Sequence, residues 1–168
     1  MTTIVFRKGI LSVDRKVKVA IGNHSYYTDA DKYFKVDDKI VGAITGDLPL
    51  PEKLKTITDG LIALSLDAEA GKEKNVELIK KVDELLDFST CIWMTKRFVY
   101  LLEGCALYQY PMDVQFARGA GMFVADALME NNVPLEELYA KISKIDCLTG
   151  SAYNSFKMRD LRVMGKRK

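Results

Sequence analysis

Thr2 stands directly behind Met1. A threonine hydroxyl is a poor nucleophile until a base takes its proton. The α-amine of a threonine that begins a chain is such a base, because its pKa near ~8 leaves much of it neutral around neutral pH. A small second residue normally allows methionine removal, so Thr2 is expected to own nucleophile and base on adjacent carbons. Rival chemistries have little material. His24 is the only histidine, which starves Ser–His and Cys–His triads and histidine-based metal sites alike. Cys91, Cys105 and Cys147 have no CxxC spacing and read as buried or free thiols of a reducing compartment, hence a cytoplasmic protein. Asp29-x-Asp31 fails as a calcium loop, since the positions that need Gly and Glu hold Phe34 and Ile40. Gly119-x-Gly121 precedes a helical segment but lacks the third glycine of a dinucleotide turn. No cofactor or metal is expected.

The elements that must position Thr2 follow from periodicity. Thr3 to Phe6, the turn Arg7-Lys8-Gly9 and Ile10 to Val13 predict a hairpin at the start. Val17 to Ile21 alternates and suits a third strand, and Lys39 to Thr45 reads as a buried strand stopped by Gly46-Asp47. Pro49 and Pro51 suit a helix start. Leu54, Ile57, Leu61 and Leu64 recur at helical spacing, and Lys72 to Leu86 repeats the pattern beyond a break at Gly71. Thr90 to Met94, the turn Thr95-Lys96-Arg97 and Phe98 to Leu102 predict a second hairpin. Weaker strands at Leu107 to Tyr110 and Val114 to Phe116 precede helices over Gly121 to Asn131 and Pro134 to Ile145. Gly150 to Met158 reads as a late strand, with Leu161 to Met164 as another. Segregated runs of strands and helices argue for α+β layers rather than alternating βαβ units. Two stacked sheets with a helix pair outside each, a four-layer αββα sandwich over residues 1–168 as a single domain, use every element.

Composition narrows the partners. Lys and Arg number 25 against 23 Asp and Glu, a net charge of +2 that gives no argument for nucleic acid. The Lys166-Arg167-Lys168 end reads as a solvated tail. No run approaches the ~20 apolar residues of a membrane span, and the N-terminus lacks the apolar region of a secretory signal.

The opening Thr2-Thr3-Ile4-Val5 resembles the mature start of proteasome β subunits and HslV-type peptidases. In that family a short hairpin ends at an aspartate, as here at Asp14. A lysine segment follows: Asp31-Lys32, then Asp38-Lys39-Ile40, then a buried strand and a glycine turn at Gly46. Near the C-terminus Asp146-Cys147-Leu148-Thr149-Gly150 is similar to the family's Asp-x-x-Ser-Gly. The resemblance runs through nearly the whole chain in order. It implies an N-terminal-nucleophile hydrolase fold and a threonine endopeptidase with Thr2 as nucleophile. Lys32 would be the cation beside it, Asp14 the partner of that lysine, and Gly46 the backbone donor to the oxyanion. Asp146 and Thr149 would hydrogen-bond around the Thr2 amine. Ile44 and Thr45, next to the glycine turn, fall where the family lines its first specificity pocket, which implies an apolar preference.

One position departs from the family. Where it carries a Gly-Ser-Gly turn this sequence has Ala117-Arg118-Gly119. An always-charged arginine there would depress the amine's pKa, bind a substrate carboxylate or fill the site. Two functions follow: an active threonine peptidase, or a catalytically inactive proteasome-like subunit with an assembly or binding role. An amidase acting on a small molecule is a third. By the same resemblance the partners are copies of the chain itself in a ring, a peptide or unfolded protein substrate and an ATP-driven unfoldase.

Overall fold

The computed structural model describes residues 2–21, 24–46 and 49–164. Met1, Asp47, the side chain of His24 and the Lys166-Arg167-Lys168 end lie outside those residues. The described chain runs β1 Thr3–Arg7, β2 Ile10–Asp14, β3 Lys16–Ile21, β4 His24–Asp29, β5 Tyr33–Val36 and β6 Ile40–Ile44, then helices α1 Pro51–Glu69 and α2 Val76–Leu85. Strands β7 Cys91–Met94, β8 Val99–Glu103, β9 Ala106–Tyr110 and β10 Gln115–Gly119 follow. Helices α3 Met122–Glu130 and α4 Leu135–Ile145 lead to β11 Tyr153–Lys157. One antiparallel sheet has the order β10-β1-β2-β11 and the other β5-β6-β7-β8-β9, while β3 and β4 pair as a separate hairpin.

The strand period of two explains why four layers form. In β1, Ile4 and Phe6 face the second sheet and meet Val41, Ala43, Ile92 and Leu101. Val5, out of phase with them, packs with Ala125, Leu138, Tyr139 and Ile142 under α3 and α4. In the second sheet the alternate residues Ile44, Trp93, Tyr100 and Leu102 turn outward onto Ile57, Leu61, Leu64, Ile79 and Val82 of α1 and α2. Three apolar layers therefore lie between helices, sheet, sheet and helices. The expected αββα sandwich is the observed fold. The buried indole of Trp93 keeps its hydrogen bond by donating to Ser65 Oγ at 2.8 Å.

Three local expectations differ, and one strand, β4, has no counterpart among them. Helix α2 starts at Val76 rather than near Lys72, because the Asn75 side chain accepts from Leu78 N at 3.0 Å and caps it there. Residues 161–164 follow a short 3₁₀ turn, Met158–Asp160, and form no strand. Ala117-Arg118-Gly119 is the end of β10 rather than a turn. Strand β4 is too polar to show alternation: its Tyr26 and Tyr27 are half exposed on a hairpin with one partner strand.

Gly60 marks where α1 meets α2, since a Cβ built on it lies 2.5 Å from Val82 Cγ2. Alanine is the better helix former by ~1 kcal/mol, but overpacking against a stiff β-branched side chain costs roughly 1–3 kcal/mol. Gly60→Ala is therefore expected to lower stability by about 1 kcal/mol net in urea unfolding. A gain in stability would mean that the two helices separate freely.

Candidate active site

Antiparallel pairing sends alternate strand ends to one pole. Thr3 at the start of β1 lies opposite Gly119 at the end of β10, and Ile4 opposite Val13 near the end of β2. In the other sheet Tyr33 lies opposite Ala43, Ile44 opposite Cys91, and Cys91 opposite Leu102. Contacts between the sheets show that these ends share a pole, and this is where Thr2, Asp14, Lys32, Gly46 and Arg118 gather. Thr2 Oγ1 donates to the carbonyl of Gly46 at 3.3 Å, which joins the start of β1 to the turn after β6.

Asp14 is the fixed point. Its carboxylate is fully buried and pairs with Lys32 Nζ at 3.0 Å, Lys32 itself being 7% exposed. Oδ1 accepts from Thr3 N at 2.7 Å, and Oδ2 also accepts from Lys16 N at 3.2 Å and Gly150 N at 3.3 Å. A buried charge survives when it is paired and its lone pairs are satisfied. Here that requirement ties the first strand, the lysine before β5 and the segment before β11 to one carboxylate.

Asp146 and Thr149 join the site through Thr3. The Thr3 hydroxyl accepts from Gly121 N at 2.9 Å and lies 2.6 Å from Thr149 Oγ1. Thr149 donates to Asp146 Oδ2, so the proton between the two threonines comes from Thr3. A chain of hydroxyls thus runs from the residue after Thr2 to a carboxylate. In the sequence Thr3 stood out as a strand residue and as part of the opening motif, with no role at the site of its own. The glycine pair weighed as a phosphate cradle belongs to the same seat. Gly119 has φ +94°, and a Cβ there would stand 1.8 Å from Thr2 O. Ala120 N donates to that same carbonyl at 3.2 Å. At Gly121 a Cβ would meet Thr149 Oγ1 and Ile142 Cγ2, each at 2.7 Å. Both glycines are therefore needed by close approach to the Thr2-Thr3 backbone or its partners.

Arg118 sits on the rim. Its Nε pairs with Glu103 Oε2 at 3.2 Å, and Nη1 donates to Ala117 O. Glu103 Oε1 accepts from Thr90 Oγ1 at 3.0 Å, and Thr90 N donates to Thr45 Oγ1 at 3.1 Å. The pair thus links the two sheets across the mouth, one residue from the Gly46 turn. Thr45 lies on this rim, but Ile44 is 1% exposed and packs in the core under α1 and α2. Two cysteines offer no competing nucleophile: burial pushes the Cys91 thiol up, and a hydrogen bond to Asp83 raises that of Cys105.

No protein-family model and no curated protein matches the chain by sequence. Solved structures match it in fold. HslV from Trypanosoma brucei aligns with a TM-score of 0.62 at 17% identity, over 93% of this chain and 98% of that one. Thiobacillus denitrificans BPH aligns with a TM-score of 0.58 at 14% identity, over 92% and 95%. The mixed α+β arrangement is therefore a proteasome-like, HslV-like fold.

Burial separates the two ion pairs of this pole. Removing one partner of a buried pair costs about 3–5 kcal/mol, whereas an exposed pair is worth about 0–1 kcal/mol. Asp14→Ala is expected to destabilise by the larger amount and Glu103→Ala by the smaller in guanidinium unfolding. Similar losses in both would mean that the Asp14 site is hydrated.

Proposed function

We propose that the chain is a threonine peptidase of the proteasome and HslV kind, with Thr2 as nucleophile once the residue before it is removed. The observation that carries this reading is the seat of Thr2. Its hydroxyl is at the Gly46 turn, its carbonyl is held by Ala120 N, and the next amide is fixed by the buried carboxylate that holds Lys32.

In this reading the freed α-amine takes the hydroxyl proton as Oγ1 attacks the scissile carbonyl carbon. Lys32, kept charged by Asp14, favours the alkoxide. The Gly46 backbone N–H would meet the oxyanion, where one lost donor typically costs roughly 3 kcal/mol of barrier. Collapse passes the proton from the ammonium to the leaving amine, and water then hydrolyses the ester on Thr2. Asp146 and Thr149 support the seat through Thr3. Thr45 and Arg118 would face the substrate, with Ile44 acting from beneath. The same reading makes the chain a subunit of a homo-oligomeric ring that acts on peptides or unfolded protein, with an ATP-dependent unfoldase as partner and no cofactor.

A second reading, an inactive subunit with an assembly role, is favoured by one observation. Thr2 is 1% exposed, and the Arg118–Glu103 pair spans the rim of its pole.

Intact mass before and after treatment with a peptide β-lactone separates the two. The peptidase reading expects a mature chain that begins at Thr2 and gains one inhibitor mass, and a Thr2→Ala variant that neither labels nor cleaves peptides. A mature protein that keeps Met1 would overturn it, because an acylated nitrogen is no base. The labelling rate is expected to rise with pH and level off above the amine's pKa near ~8, since only the neutral amine accepts a proton.

A further inference from the structure

The pole opposite Thr2 carries a different chemistry. It is formed by the β1–β2 turn, the β7–β8 turn and the end of β11, which come together because the strands that start at the Thr2 pole end here. A cavity of about 510 Å³ opens there, lined by Lys8, Lys96, Lys157 and Arg159, with no carboxylate among the described residues of its wall. Ile10 and Met158 form an apolar floor between the cations.

The four charges come from three separate segments held in place. Lys157 lies opposite Ile10 across β11 and β2, and Met158 N donates to Gly9 O at 2.8 Å. Lys96 Nζ donates to the carbonyl of Arg159, which pins one sheet's turn to the other sheet's end. Among the described residues no carboxylate pairs with Lys8, Lys96 or Lys157. Arg159 has a long contact with its neighbour Asp160, 3.8 Å, with both side chains largely exposed. Asp38 and Asp160 line a neighbouring hollow that shares Lys157 and Arg159. Like charges gathered within one hollow repel, and a bound anion relieves that repulsion.

We propose that this hollow is a docking site for an acidic peptide segment of a partner protein. Charge complementarity sets the sign, and the apolar floor sets the pattern: carboxylates for the lysines, with an aliphatic side chain between them for Ile10 and Met158. A nucleic acid fits less well. Among the described residues the lining has no aromatic ring on which a base would stack, and the cations form a local hollow rather than a track along a backbone. The proposal concerns a pole remote from Thr2 and does not depend on the catalytic reading.

Fluorescence anisotropy with a labelled octapeptide alternating glutamate and leucine tests it on the full-length protein. Lys96→Glu/Lys157→Glu is expected to weaken binding about tenfold or more, and raising salt is expected to weaken wild-type binding, because the charges are exposed. Thr2→Ala should bind the peptide as wild type does. Circular dichroism and a melting curve confirm that the double variant is folded, and Lys157→Gln alone should give an intermediate loss. Absent binding, binding unchanged in the folded double variant, or equal binding of a charge-matched single-stranded DNA would each overturn the proposal.

Discussion

The carboxylate of Asp14 is the interaction on which the rest of the candidate site depends. It has no exposure, and its charge is balanced by Lys32 and by backbone N–H groups from three segments. Such an arrangement does little for stability compared with a well-packed apolar residue of the same size. What it provides is geometry. A charge that cannot reach water holds its donors in place, and those donors are the amide beside Thr2, the lysine before β5 and the glycine after Thr149. The start of the first strand is therefore anchored through the amide of Thr3.

Two close backbone approaches complete the seat. The Thr2 carbonyl lies where any side chain on residue 119 would be, and the Thr3 hydroxyl takes the amide of residue 121. Helix α3 therefore starts directly from the site, and its packing against β10 and β1 transmits the position of the threonines into the core. The glycine spacing that resembles a phosphate cradle performs a steric task here, with a peptide carbonyl rather than a phosphate at close range.

The two poles of the sandwich are chemically distinct for one reason: antiparallel strands return. At the Thr2 pole the strand ends bring Thr2, a buried ion pair and a rim pair together. At the far pole the turns bring three lysines and Arg159 around an apolar floor. The rim pair Arg118–Glu103 and the contact from Lys96 to Arg159 each join one sheet to the other, one at each pole. Arg118 is held by Glu103 and stands on the strand before the glycine rather than in a turn.

The layer plan and several residues of the Thr2 pole were legible before any contact was known. The apolar run Thr3 to Phe6, the helical spacing from Leu54 to Leu64 and the segregated order of runs pointed to stacked sheets with outer helices, because apolar faces must be covered. Thr2, Asp14, Lys32 and Gly46 were legible through resemblance, since that chemistry needs those residue types in that order. Pairing across long separations was decided by the tertiary structure alone. That Thr149 reaches Thr3, that Gly119 lies under a carbonyl, that Glu103 takes up Arg118, and that Ile44 turns into the core depend on register and on which strand edges meet. Those contacts join residues up to 146 positions apart. No local pattern encodes them, because a hydroxyl or a glycine acquires its role from the neighbour that folding delivers.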